Sequence, residues 1–353
     1  MNDARCRVLA ADVPSGLDAE TGRPLPEAIR AALTLTIGAP KRGLLVPSAA
    51  SFVGRLEVAD DVGLIPCSCE SELRWTVPKD FAGYPPPRPA DGHKGTFGHA
   101  AIIAGSMGYH GAAVLAARGA QRARPGLITL FPQPEVFTPV AAQLQAVMVQ
   151  PWRDAMDLSK FSALLFGPGL AAENLSSRAL ESMQELWRTS ALPIVVDASA
   201  LKWLPRDASP PIAIRVITPH PGEAAQLLGC ETSVVQNDRT AALRALAKQF
   251  NCWVVLKGHN TLIGRAEGDV FVNSSGNSDL AQGGSGDLLA GYVAGWLAQL
   301  LLQKDPLLAL RYAVFEHGAA ADRLSVRGQN WIVEDLAEEL GAKDDFVRDF
   351  SFR

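Results

Sequence analysis

The sequence predicts an α/β protein built on a mainly parallel sheet with helices on both faces. Three observations predict it. From residue 94 onward, short wholly apolar runs recur. Helical patterns separate them, and Gly, Pro or Asp closes each run. Parallel strands buried on both faces read as continuous apolar stretches, and the helices between them are the crossover connections.

In order, Ala100–Ala104 is the first such run. It ends in Gly105-Ser106, and a small-residue helix is expected over Ala112–Ala123. Leu127–Phe131, Ala163–Phe166, Ile194–Asp197, Val216–Thr218 and Trp253–Lys257 come after it as strands, with helices over Ser176–Thr189 and Arg239–Phe250. In such sheets ligands bind outside the carboxyl ends of the strands, so the loops after these runs are where chemistry is sought.

Residues 1–65 differ. Arg7–Asp12, Leu33–Gly38 and Arg55–Ala59 read as strands with little helix, in a stretch too short to bury a full core alone. Residues 66–93 read as a linker, stiffened by Pro78, Pro85, Pro86, Pro87 and Pro89. The main domain is then 94–340, with 341–353 a C-terminal tail.

Composition sets the bounds. A chain of 353 residues suggests two domains, and 48% hydrophobic with 20% charged residues is ordinary globular material. With 33 Lys+Arg against 37 Asp+Glu the net charge is −4, which offers no footprint for nucleic acid or an anionic membrane. Any polyanionic ligand must be held locally. Apolar runs are interrupted before membrane-spanning length, and Met1–Arg7 does not read as a secretory signal. Five scattered cysteines suggest a reducing, cytoplasmic setting. Cys67 and Cys69 lack metal-ligand partners and read as loop thiols.

The strongest local signal is Asn273-Ser274-Ser275-Gly276-Asn277 and then Gly283-Gly284-Ser285-Gly286-Asp287, opening an apolar helix over Leu288–Leu301. Glycines before a helix leave amides at its positive end, a ready site for phosphate. A carboxylate beside such a site suits a base that takes a proton from an attacking hydroxyl. An isolated Gly-Ser-Gly-Asp would read as a helix cap; the preceding Asn/Ser/Gly stretch and the strand arrangement favour the anion site. No Lys comes after the glycines, so this is not a Walker loop.

Thr218-Pro219-His220-Pro221-Gly222-Glu223 places a rigid His220 at a strand end, either as a ligand or proton-transfer group or as a structural turn. Lys257-Gly258-His259-Asn260-Thr261 leaves another strand, with Lys257 able to pair with phosphate or to stand as a solvated charge. Asp197 reads as a helix-capping or positioning residue. Gly105–Ala112 and Gly167-Pro168-Gly169 complete five glycine-bearing loops at strand ends.

Together these motifs resemble the ADP/ATP-dependent NAD(P)H-hydrate dehydratases of the ribokinase-like superfamily, from about Lys94 to Leu324. The resemblance implies that Ala112, Gly169, His220 and Asp287 contact the hydrated nicotinamide of the S epimer. It further implies that Lys257, Gly258, His259, Asn260 and Thr261 hold the adenine nucleotide together with the Gly283, Gly284, Ser285 and Gly286 turn. ADP or ATP as donor and Mg²⁺ are implied as well, with ADP favoured by similarity to bacterial members. Ser199 stands where the family commonly has Asp. The N-terminal piece is similar to the closing segments of NAD(P)H-hydrate epimerase, through Ala11–Asp18 and Gly38-Ala39-Pro40-Lys41. Asp12 and Ser15 match its substrate and potassium positions, but its Asn-Asn-Gly-Gly-Asp loop is absent, so epimerase activity is not expected. Two other readings stay open: a small-alcohol kinase on the same scaffold, and a non-catalytic nucleotide-binding remnant. The sequence leaves open a homo-oligomer and the choice between NADH and NADPH hydrates.

Overall fold

The computed structural model describes residues 1–3, 5–65, 70–153, 156–171, 175–206, 213–328 and 330–342. The paired thiols Cys67 and Cys69, and the tail from residue 343, lie outside the described residues.

A small parallel sheet comes first: β1 (Leu9–Ala11), β2 (Leu33–Ile37) and β3 (Arg55–Ala59), with the short helix α1 (Ala50–Val53) before β3. Next come β4 (Leu73–Trp75), β5 (His99–Ile103), α2 (His110–Ala123), β6 (Leu127–Phe131), α3 (Phe137–Ala141) and β7 (Met148–Val149). They lead into β8 (Ala163–Phe166), α4 (Ser177–Thr189), β9 (Ile194–Val196), β10 (Arg215–Ile217), α5 (Pro221–Leu228), α6 (Thr232–Asn237) and α7 (Arg239–Phe250). The chain continues through β11 (Trp253–Leu256), β12 (Leu262–Gly264), β13 (Val270–Val272), α8 (Ser285–Leu297), α9 (Pro306–Val326) and α10 (Val333–Glu339).

The ten strands from β4 onward form one sheet in the order β4-β13-β12-β11-β10-β9-β8-β5-β6-β7. Every pairing is parallel except those of β12 with β11 and β13. The mainly parallel sheet expected from the sequence is therefore present. Alternation within one strand shows both faces covered: Ala100 and Ile102 of β5 enter one core, and Ala101 and Ile103 the other. On the first side α2 and α8 approach so closely that a Cβ on Gly119 would lie 2.1 Å from the Leu288 carbonyl oxygen, and one on Gly291 1.8 Å from that of Ala116. Only glycine permits that approach, and it fixes where α8 begins.

The linker reading of 66–93 needs correction. Within it β4 pairs with β13 as an edge strand, Leu73 opposite Val270 and Trp75 opposite Val272. Phe81 and Tyr84 pack against α8 and α9, with ring centroids 5.4 Å apart for Phe81–Tyr312 and 6.2 Å for Tyr84–Trp296. Asp80 pairs with Arg311. The prolines do enforce an irregular backbone, but the aromatic residues between them supply enough apolar surface to bind the segment down. The small sheet has its own core of Leu17, Ala28, Leu44, Ala49, Val53 and Leu56, and Leu45 and Trp75 touch both this core and that of the large sheet. Leu9, Leu35 and Ile37, on its other face, are exposed.

A chain starting at residue 94, which the linker reading expects to fold and work alone, loses β4 and the buried Phe81. Removing one buried aromatic costs about 3–5 kcal/mol, so thermal melting should fall by roughly 10 °C against a chain starting at Ser71. Equal melting temperatures would restore the linker.

Candidate active site

The site gathers at the carboxyl ends of β9, β10 and β11 and at the start of α8. Asp197 comes directly after β9 and is 1% exposed. Its Oδ1 accepts from Thr218 Oγ1 at 2.7 Å and from Lys257 Nζ at 2.7 Å. Its side chain makes no capping bond to the short helix after it, so of the two expected roles positioning stands and capping does not. Lys257, directly after β11, also lies 4.0 Å from Glu223 Oε2. Burial works against its charge, but Asp197, Glu223 and Asp287 outweigh burial and hold the ammonium above its ordinary value. Lys257 is thus not a solvated charge: its ammonium pairs with Asp197 and lies near Glu223.

Asp287 is the third residue of α8 and is not its cap. The cap position is Gly284, in the left-handed region at φ 94° with no side-chain bond. Burial first, then the negative charges of Asp197 and Glu223, push Asp287 up to about 7, while Lys257 pulls the other way. Lys257 Nζ packs beside the turn itself, since a Cβ on Gly286 would lie 3.3 Å from it. The result is a carboxylate that changes charge near neutral pH, in the first turn of a helix, beside a fixed cation.

His220 is the N-cap of α5. Its Nδ1 accepts from the amide of Gly222 at 3.0 Å, and its own amide donates to Glu223 Oε2 at 2.8 Å. The structural turn read from the sequence is therefore real, and it orients the ring: with Nδ1 accepting, the neutral imidazole carries its proton on Nε2. Ala112 and Gly169 come together. Ser106 Oγ donates to the Gly169 carbonyl at 2.7 Å, and a Cβ on Gly169 would lie 2.8 Å from the Ala112 Cβ. Asp12 and Ser15 lie in the turn after β1 of the small sheet. The Asp12 carboxylate accepts from Lys41, from the Ile37 amide at 2.9 Å and from Thr36 Oγ1 at 3.3 Å, and Lys41 first of all holds it below the usual carboxylate range.

Three residues that shape the site escape a reading of the sequence. Arg239, at the start of α7, donates to four backbone carbonyls of residues 256–260. Asp322 of α9 accepts from the Gly276 amide at 2.9 Å and from Asn277 Nδ2 at 2.8 Å. His317, also on α9 and 6% exposed, bonds the Ser285 backbone and is lowered to about 4, chiefly by burial. All three lie on helices behind the loops. Only the Asp-Arg pair at 238–239, a cap and then a cation in the first turn where the helix dipole disfavours one, marks any of them. A cavity of about 670 Å³ bordered by Trp152, Met156, Arg178, Glu181 and Leu186 shares no residue with this cluster.

The raised Asp287 has a consequence for stability. Its ordinary value is 3.8 and its value in the fold about 7, so the protonated form is the favoured one when folded. Its contribution is complete below about pH 3.8 and is lost as pH rises through about 7. Asp287→Asn escapes this loss. The variant should melt above the parent at pH 8, with the gap narrowing toward pH 5; a gap independent of pH would contradict the burial argument.

Comparison with known proteins bears on the family and the fold. Residues 100–343 match the family described as NAD(P)H-hydrate dehydratase, and residues 1–43 match that described as YjeF-related protein N-terminus. The chain is 38% identical over 241 residues to the ADP-dependent (S)-NAD(P)H-hydrate dehydratase of Neisseria meningitidis, covering 67% of this chain and 80% of that one. It is 35% identical over 350 residues to the bifunctional NAD(P)H-hydrate repair enzyme of Moorella thermoacetica, covering 93% of this chain but only 65% of the relative's length. Among solved structures, the ADP/ATP-dependent NAD(P)H-hydrate dehydratase of Bacillus subtilis, co-crystallised with ATP/Mg²⁺, superposes with a TM-score of 0.65 at 31% identity, over 72% of this chain and 91% of that one. A ribokinase-like superfamily protein of Enterococcus faecalis shares the fold, with a TM-score of 0.64 at 23% identity. With a family match over most of its length and the large sheet in place, this chain belongs to the NAD(P)H-hydrate dehydratase family and carries its ribokinase-like fold.

Proposed function

We propose that this chain uses a nucleotide to dehydrate the S epimer of hydrated NAD(P)H, returning NAD(P)H. With ADP, the donor named for the Neisseria relative, the other products are AMP and phosphate. The observation that carries the reading is Asp287: a carboxylate pushed up to about 7, in the first turn of a helix whose start is a glycine-rich amide site.

In this reading the substrate hydroxyl attacks the donor's terminal phosphorus and Asp287 takes its proton. The bond from that phosphorus to the departing AMP breaks, and the amides of Gly284 to Asp287 hold the transferring group. The ring nitrogen's lone pair then expels phosphate from the adjacent carbon, and loss of a proton from the neighbouring ring carbon restores the dihydronicotinamide. His220, with its proton on Nε2, positions the substrate; Ala112 and Gly169 form a small-residue wall against which the ring can lie. Lys257 keeps Asp287 from rising further and so keeps it usable as a base. The described residues hold no group of three His, Cys, Asp or Glu side chains arranged for a metal. Mg²⁺, co-crystallised with ATP in the Bacillus relative, would be held by the donor's phosphates and would neutralise their charge.

Mixing the protein with hydrated NADH and ADP should return the absorbance of NADH. A stable phosphorylated product would instead mark a kinase. Asp287→Asn should cut turnover by roughly 10²–10⁴, the usual loss for a general base, while nucleotide titrates as tightly or tighter. Turnover within a few-fold of the parent would remove Asp287 from the chemistry.

With ADP far below saturation, the rate should rise with pH through about 7, as Asp287 of the nucleotide-free protein loses its proton. Lys257→Met removes the one charge that lowers Asp287 and should move this limb to higher pH. An unmoved limb would mean another group titrates.

The small sheet, lacking the epimerase substrate loop, should not epimerise: with the R epimer and ADP, NADH should appear no faster than spontaneous epimerisation allows.

A further inference from the structure

Arg239 is 8% exposed, yet none of the ion pairs among the described residues includes it. Its two terminal nitrogens are spent on backbone, while Nε is buried without a partner. Nη2 donates to the carbonyls of Leu256 at 3.0 Å and Lys257 at 3.3 Å; Nη1 donates to those of His259 and, at 3.2 Å, Asn260. These are four carbonyls within five consecutive residues. Burial lowers the guanidinium to about 10, which leaves it charged at neutral pH. A buried cation without a counter-ion is costly, and carbonyl dipoles offset that cost only in part.

The geometry determines what this fork does to the loop. A trans peptide points its N–H opposite to its C=O. Turning the Lys257 and His259 carbonyls in toward Arg239 therefore turns the Gly258 and Asn260 amides away from it. The Leu256 carbonyl does the same for the Lys257 amide, which is used internally, donating to Pro219 O at 2.9 Å. The loop is bent to suit: Gly258 sits at φ 137° and Asn260 at φ 52°. At 258 a Cβ would lie 3.1 Å from Arg239 Nη2, so the peptide there rests directly on the guanidinium. The Asn260 side-chain Nδ2 is buried without a partner.

We propose that Arg239 is the positioning residue of the nucleotide loop: it draws the 256–260 carbonyls inward, presents the Gly258 and Asn260 amides to the nucleotide, and supplies a positive charge beneath them that favours an anionic ligand. This rests on the reading of 257–261 as the nucleotide segment. It assigns to α7, a helix carrying none of the expected contact residues, the task of preforming that segment.

Arg239→Lys keeps a buried positive charge but replaces the planar fork with one compact ammonium that cannot reach four carbonyls. Arg239→Met removes the charge as well and is the variant at greater risk of not folding. For the Lys variant, ADP should bind at least about tenfold more weakly by direct titration, and KM for ADP should rise in step, while kcat at saturating ADP and KM for the hydrate stay within about threefold. Adenosine, which lacks the phosphates, should lose less affinity than ADP in the Met variant if that variant folds. A Lys variant that melts lower but binds ADP as the parent does would overturn the proposal, as would a fall in kcat with KM for ADP unchanged. A parent that binds no ADP would overturn the nucleotide reading itself. A parent that binds ADP without dehydrating the hydrate would overturn only the proposed reaction.

Discussion

The Lys257 ammonium is the interaction on which the rest of the site depends. It sits among three carboxylates, Asp197, Glu223 and Asp287, delivered by β9, α5 and the first turn of α8. None of these is near another in sequence. They meet because a parallel sheet brings the carboxyl ends of its strands to one edge, and because Gly119 and Gly291 let α2 and α8 close to a distance that sets the start of α8 at that edge. Without Lys257, three carboxylates would share a partly desolvated space and their repulsion would have to be met by protonation or by local opening. With it, Asp197 is fully engaged, and Asp287 is left as the group that titrates.

Much of this is legible in the sequence where turn chemistry is strong. Gly283–Asp287 and the Pro-His-Pro-Gly-Glu turn announce themselves through residues that only special backbones require, and the apolar runs locate most of the central strands. The silence of the rest has physical causes. α9 spans 21 residues but is buried on several sides, so it lacks the one-sided apolar stripe by which a surface helix is recognised. β12 and β13 are three residues each, too short for any period to register. The segment 66–93 reads wrongly as a linker because five prolines outweigh Phe81 and Tyr84, whose anchoring on α8 and α9 is a tertiary fact. Lys257 can pass for a solvated charge because nothing local shows that Asp197, sixty residues earlier, lies 2.7 Å away.

The helices behind the loops explain how so exposed a set of turns keeps its shape. α9 holds the Asn273–Asn277 stretch through Asp322 and the Phe315 carbonyl, and reaches the Ser285 backbone through His317. α7 does the same for 257–261 through Arg239. Each support is a polar contact between a helix and the loop in front of it, an arrangement that contributes little net stability and much geometric definition. Supports of this kind carry no glycine or proline signature, which is why they are silent in the sequence.

Charge is then distributed in two zones. Around Lys257 the carboxylates leave a region suited to accepting a proton from a hydroxyl. The amides at the start of α8, next to Asp287, and those of the loop above Arg239 form a positive region. A donor phosphate entering the second zone approaches the first and adds negative charge beside Asp287. By the same reasoning that places Asp287 at about 7 in the free protein, this raises its affinity for a proton further. On the proposed reaction, nucleotide binding therefore strengthens the base as the attacking hydroxyl arrives, and Lys257 limits the rise so that the base is still ionised often enough to act.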